Sequence, residues 1–124
     1  LVLGTKFETV DWRNVAAELI KLQKPVEELV EKVGEFSTSE YLLQCLKIHH
    51  RITQIHPFRD GNGRSSRALL NWMMRLKGLP PIYFKVKEKD SYYMALEQAD
   101  EHMEYKELLR VTIRAIFHTI MKVN

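Results

Sequence analysis

His56-Pro57-Phe58-Arg59-Asp60-Gly61-Asn62-Gly63-Arg64-Ser65-Ser66-Arg67 is the most informative stretch of this chain. Pro57 and the Asp60-Gly61-Asn62-Gly63 run break the apolar helical pattern that precedes them. A new helical pattern starts around Asn62 to Ser65, so the stretch reads as a loop feeding a helix. Such a loop presents unpaired backbone N–H groups and the positive end of a helix dipole, which together bind anions. Gly61 and Gly63 leave out the Cβ atoms that would keep a phosphate from the main chain, and both can adopt positive φ. Asn62 adds a side-chain amide.

The flanking residues narrow the chemistry. Arg64 and Arg67 are three apart, hence on one helix face, and guanidinium groups clamp phosphate oxygens bidentately. Asp60 offers a hard carboxylate oxygen, and Mg²⁺ takes one or two carboxylates together with substrate phosphates. His56 supplies an imidazole that titrates near neutrality and can take a proton from an incoming hydroxyl. Phe58 between them reads as a packing anchor. The set calls for a hydroxyl nucleophile, a polyphosphate and Mg²⁺.

On either side of the loop the pattern is helical. Asp11 is a candidate N-cap for Trp12, Val15, Ala16, Leu19, Ile20 and Leu22. Pro25 suits the first turn of a second helix with Val26, Leu29, Val30 and Val33 on one face, closed by Gly34. Ser39 caps a helix carrying Leu42, Leu43, Leu46, Ile48, Ile52 and Ile55. After the loop come Ala68, Leu69, Trp72, Met73 and Leu76, with Gly78 as the stop and Pro80-Pro81 beyond it. Ile82 to Val86 is short and β-like. Asp90 or Ser91 opens a helix through Met94, Leu96 and Ala99, and a last helix runs from about Tyr105 to Met121. Residues 1–10 alternate around Gly4-Thr5 as a short hairpin would. The expected fold is therefore mainly α, a bundle of about six helices with a short N-terminal β-hairpin flap, in one domain over residues 1–124.

Bulk composition agrees. With 124 residues and 45% hydrophobic content the chain can bury a core. A net charge of +3 suits an anionic ligand and is too small to imply nucleic acid. The single Cys45 excludes an internal disulfide and fits a reducing, cytoplasmic compartment. No apolar run approaches the roughly 20 residues that span a bilayer. The chain starts at Leu1 rather than Met, so it reads as trimmed at its N-terminus.

The pattern His-Pro-Phe-x-Asp-Gly-Asn-Gly-Arg-x-x-Arg resembles the signature of the Fic (filamentation induced by cyclic AMP) family, and every defining position is present at 56–67. Tyr92-Tyr93-Met94-Ala95-Leu96 is similar to a downstream helix common in that family. The resemblance implies a mainly helical domain that transfers AMP from ATP to a Tyr, Ser or Thr hydroxyl of a target protein and releases pyrophosphate. It assigns His56 as general base and Asp60 as Mg²⁺ ligand. It gives Asn62, with the Gly61 and Gly63 backbone, the α- and β-phosphates. Arg64 takes a position further along the phosphate chain, and Arg67 pairs with the γ-phosphate. The kinase-type branch carries Ala and Lys at the positions of Gly61 and Gly63, so this chain favours nucleotidyl transfer. UTP or GTP as donor, transfer of another phosphate group, and a nucleotide-binding interaction module with little catalysis are the alternatives.

Family likeness further implies that the flap aligns the target segment by strand addition. The inhibitory pattern Ser/Thr-x-x-x-Glu-Gly/Asn does not occur in the chain. The restraining helix is then expected upstream of Leu1 or on a separate antitoxin chain, unless the protein is unrestrained. Tyr92 and Tyr93 either flank an adenine ring or pack their helix against the core, and the sequence favours neither. His49 and His50 read as a polar helix face rather than a metal site, and Cys45 as a small core residue. Lys85, Lys87 and Lys89 read as a solvated edge.

Overall fold

The computed structural model describes residues 10–56, 61–84 and 88–123. The flap expected at 1–10 lies outside these residues except for Val10, whose N–H donates to the Gln54 carbonyl at 2.9 Å. Among the described residues the architecture is helical throughout. There are five α-helices, α1 (Val15–Glu31), α2 (Thr38–Ile55), α3 (Asn62–Leu76), α4 (Lys89–His102) and α5 (Lys106–Val123), with 3-10 turns at Trp12–Asn14 and Val33–Glu35.

The expected count of about six is one too many because the first two predicted helices are a single element. Pro25 lies inside α1. It has no N–H for the Lys21 carbonyl, but both residues are exposed, so water can meet that oxygen. Leu22, Val26, Leu29 and Val33 join the core at spacings of four, three and four, and this stripe crosses the proline without interruption. Continuous burial outweighs one lost hydrogen bond. The inner face also differs from the one expected. Trp12 is 82% and Ile20 70% exposed, while Glu18 turns inward and pairs with Arg51 of α2 at 2.8 Å.

α2 is the central helix. Ser37, not Ser39, is its N-cap, and the Ser37 hydroxyl accepts from the Glu40 N–H at 3.2 Å in a Ser-x-x-Glu pattern. α1, α3 and α5 all pack on it. Tyr41, Leu46 and Ile55 of α2 are fully buried with Leu70 and Met73 of α3 and Leu108 of α5. Each such aliphatic side chain contributes about 1.5–3 kcal/mol by leaving water. The Tyr41 hydroxyl donates to the Met73 carbonyl at 2.7 Å, so its burial leaves no polar group unpaired.

α3 ends as the sequence predicts. Gly78 takes φ 82°, and the N–H groups of Gly78 and Leu79 donate to the Arg75 and Met74 carbonyls at 2.9 and 3.0 Å. The β-like stretch expected at Ile82–Val86 is not a strand over its described part, and 85–87 lie outside the description. Ile82 is instead pinned by one side chain: Asn71 donates to its carbonyl at 3.0 Å and accepts from its N–H at 2.8 Å. This hold delivers the chain to α4, which pairs with α5 through a left-handed turn at Met103.

Pro25→Ala should stabilise the protein by about 1–3 kcal/mol, since a helix-interior proline costs about 3 kcal/mol against alanine. Urea unfolding is the measurement, and an unchanged or lower midpoint would show that α1 is shaped around the proline.

Candidate active site

The end of α2, the first turns of α3 and one face of α4 enclose a cavity of about 150 Å³. Helical spacing explains which residues reach it. Thr53 and His56 lie one turn apart at the end of α2. Asn62, Gly63, Ser66 and Arg67 share a face of α3, and Tyr93, Glu97 and Asp100 share a face of α4. Of the residues singled out in the sequence, the fold brings His56, Asn62, Gly63, Arg67, Tyr92 and Tyr93 to this one cavity. Asp60 and Phe58 lie outside the described residues. Gly61 and Arg64 stand beside the cavity without lining it, and Arg64 is exposed.

His56 is the residue at which α2 stops. It adopts φ 52° and ψ 60°, a left-handed conformation that costs a non-glycine residue about 1–2 kcal/mol, and its N–H still donates to the Ile52 carbonyl at 3.0 Å. This turn takes the chain off the helix axis and leaves the imidazole at the cavity. Burial of the ring lowers its pKa from the ordinary 6.5, so it is neutral and able to accept a proton at pH 7.

The two glycines act differently. Gly61 caps α3 with φ 76°, a left-handed dihedral that favours glycine. Gly63 has ordinary helical geometry and matters for space, because a Cβ there would stand 3.0 Å from Nη1 of Arg67. The corresponding Cβ at Gly61 would stand 3.3 Å from Nη2 of Arg64. Both guanidinium groups therefore fold back toward the N-terminal end of α3, as their spacing suggested. Arg67 also lines a second opening of about 150 Å³ with Tyr83, Phe84, Lys89, Tyr92 and Tyr93.

The two tyrosines separate in role. Tyr92 is 4% exposed, stacks on Phe84 at 4.4 Å, and its hydroxyl lies 2.6 Å from Nε2 of His49. Tyr93 is half-buried and borders both openings. The polar helix face expected at His49 and His50 is corrected by the structure: these rings are 0% and 2% exposed. α2 is packed on too many sides to offer a solvated stripe there, so its polar groups find partners inside. Cys45 is a core residue as expected, and burial pushes its thiol up to about 12.

The sequence reading missed Thr53, Ser66, Glu97 and Asp100. Their signal was the spacing of Thr53 to His56, and of Tyr93, Glu97 and Asp100 on one helix. Asp100 is the most consequential. Its Oδ1 lies 2.6 Å from Nε2 of His50 and 2.9 Å from the Gln54 amide. Its Oδ2 is buried without a partner among the described residues.

Comparison with known proteins agrees with this loop and its helices. The Fic/DOC family profile matches residues 4–74, more than half of the chain and the whole of the 56–67 stretch. The chain belongs to the Fic/DOC family. A curated protein named Protein adenylyltransferase Fic, from Nematostella vectensis, is 36% identical over 72 residues, covering 58% of this chain and 17% of that protein. Its namesake in Drosophila willistoni is 42% identical over 69 residues, 55% of this chain and 14% of that protein. Protein adenylyltransferase fic-1 of Caenorhabditis elegans is 42% identical over 52 residues, 42% of this chain and 10% of that protein. The chain thus spans less than a fifth of these Fic relatives. No described helix of this Fic domain is long and apolar enough to cross a membrane.

Gly63→Ala should leave the fold intact, because only the flexible end of Arg67 must move and alanine is the better helix former. ATP, the donor that the family resemblance implies, should bind about tenfold more weakly as the guanidinium is displaced. Calorimetric titration beside a thermal melt checks this, and unchanged affinity would remove the spatial role of Gly63.

A second expectation concerns His49, whose pKa burial lowers from 6.5 to about 4. Below pH 6.5 the unfolded chain takes up a proton that the folded ring refuses, so stability is lost between pH 6.5 and about 4, by a few kcal/mol at most. His49→Gln should flatten that part of the stability–pH curve, and an unaltered slope would refute the assignment.

Proposed function

We propose that this chain is the catalytic domain of a protein adenylyltransferase, which moves AMP from ATP to the hydroxyl of a Tyr, Ser or Thr side chain on a target protein. The observation that carries the reading is the common cavity of His56, a neutral ring at the end of α2, and the Asn62, Gly63 and Arg67 anion cradle. A binding module has no use for such a base. The relatives named adenylyltransferase support the same chemistry.

In this reading the cradle receives the phosphates. The Asn62 amide and the Gly63 backbone meet the α- and β-phosphates, and Arg67, with Arg64 outside it, neutralises the distal phosphates. His56 accepts the proton of the incoming hydroxyl as its oxygen attacks the α-phosphorus. The bond from that phosphorus to the bridging oxygen of the β-phosphate breaks, and pyrophosphate leaves with its electron pair. By its place in the sequence Asp60 would hold Mg²⁺, which supplies charge neutralisation on the phosphates. Tyr93, which borders the cavity from α4, suits a face of the base. Catalysis here is positioning and electrostatics. The target segment would align along the flap.

The test uses ATP labelled at the α- or the γ-phosphate, incubated with Mg²⁺, a cell lysate and either the protein or His56→Ala. Protein bands labelled from the α-phosphate alone, and lost in the variant with nucleotide binding retained, are expected. Label that depends on the added protein and comes from the γ-phosphate but not the α-phosphate would replace AMP transfer with a kinase reaction, and label in the His56→Ala lane would remove the base. UTP and GTP run beside ATP identify the donor.

The lowered pKa of His56 also predicts a pH profile. The neutral base disappears as pH falls through that value, so the transfer rate should drop on the acid side with an apparent pKa below 6.5. An acid limb above 6.5, or none in the acid range, would assign the base elsewhere.

A further inference from the structure

α4 carries one wall of the cavity, and its most extensive main-chain packing is on α5. Its apolar side chains Ala95 and Leu96 join the common core, and polar side chains fix where it sits opposite His56 and Arg67. Two neighbouring histidines in the middle of α2 reach it. His49 meets the Tyr92 hydroxyl at 2.6 Å, and His50 meets Oδ1 of Asp100 at 2.6 Å. Tyr92 and Asp100 are eight residues apart, about 12 Å along the helix axis, so the two bonds grip α4 at points more than two turns apart. We propose that His49 and His50 are positioning residues that set the α4 wall of the nucleotide cavity against His56 and Arg67, an inference that rests on the transferase reading above.

The partners determine how each ring is oriented. The other nitrogen of His49, Nδ1, lies 3.1 Å from the Ser66 carbonyl, which can only accept, so Nδ1–H donates to it. Burial keeps the ring neutral, and Nε2 is then left to accept from the Tyr92 hydroxyl. One imidazole thereby joins α2, α4 and the α3 turn that carries Gly63 and Arg67. Ser66 reinforces this turn, its hydroxyl donating to the Gly63 carbonyl at 3.0 Å. His50 directs its Nε2–H at a carboxylate oxygen, and its Nδ1 meets the Tyr105 hydroxyl at 2.9 Å beside the α4–α5 turn. Oδ1 of Asp100 is shared between His50 and the Gln54 amide, so two residues of α2 hold the same carboxylate. A leucine of similar volume at position 50 would fill the space and hold nothing.

Three variants separate positioning from bulk stability. Tyr92→Phe removes one oxygen, His50→Leu removes the grip on Asp100, and His50→Gln keeps a donor near the place of Nε2. Amide hydrogen exchange is compared between α4 and α1, and ATP affinity and the transfer rate at saturating ATP are measured on the same proteins. In Tyr92→Phe and His50→Leu we expect exchange about tenfold faster across α4 and unchanged in α1. ATP should bind about tenfold more weakly, with a smaller change in the saturated rate, and His50→Gln should restore both. Wild-type exchange in α4, equal acceleration in both helices, or faster α4 exchange with unaltered ATP affinity would each overturn the inference. If His50→Leu does not fold, Tyr92→Phe decides it alone. Should the wild-type protein bind no nucleoside triphosphate while α4 responds as expected, the transferase reading falls and the hold on α4 stands.

Discussion

α2 is packed against three other helices, and a helix so enclosed must satisfy its polar side chains within the protein or lose the stability its apolar residues contribute. That requirement organises the domain. The Tyr41 hydroxyl finds the Met73 carbonyl of α3, His49 finds Ser66 and Tyr92, His50 finds Asp100 and Tyr105, and the Thr53 hydroxyl donates to the carbonyl of His50. Three of these four residues tie α2 to a neighbour that contributes to the cavity or borders it. The same helix ends at the cavity, and it ends there because His56 leaves the helical conformation.

The loop after α2 divides its work between conformation and space. Gly61 is favoured by its dihedral angle and Gly63 by the guanidinium folded over it, so one short motif uses the two glycines for unlike reasons. The two arginines differ as well. Arg64 is exposed, where water screens its charge, whereas Arg67 is half-buried between two openings, where the same charge acts over a longer range. Its field reaches the His49 and Tyr92 pair, and it favours a neutral imidazole beneath the site.

The cavity is polarised from one wall to the other. Arg67 and the N-terminal end of α3 supply positive charge, while Glu97 and Asp100 on α4 supply carboxylates. A ligand that fits both walls is anionic along one part and rich in hydrogen-bond donors along another. Phosphates and a nucleoside have that distribution. This polarity comes from two helices far apart in the chain that the fold brings to one cavity.

The helical class, the stop at Gly78 and the grouping of His56 with Asn62, Gly63 and Arg67 were all legible in order along the chain, because each is a local matter of spacing, dihedral preference and residue chemistry within a dozen positions. The single helix through Pro25 was not, since a proline's local cost is overridden by an apolar stripe whose partner lies on another helix. Nor were the burial of His49 and His50, the engagement of Tyr92, or the entry of Asp100 into the cavity. Each of those depends on what stands opposite, and hydrogen-bond partners 17 to 55 residues away leave no periodic trace in sequence. Local chemistry thus picked out His56, Asn62, Gly63 and Arg67, and long-range packing chose the wall that faces them.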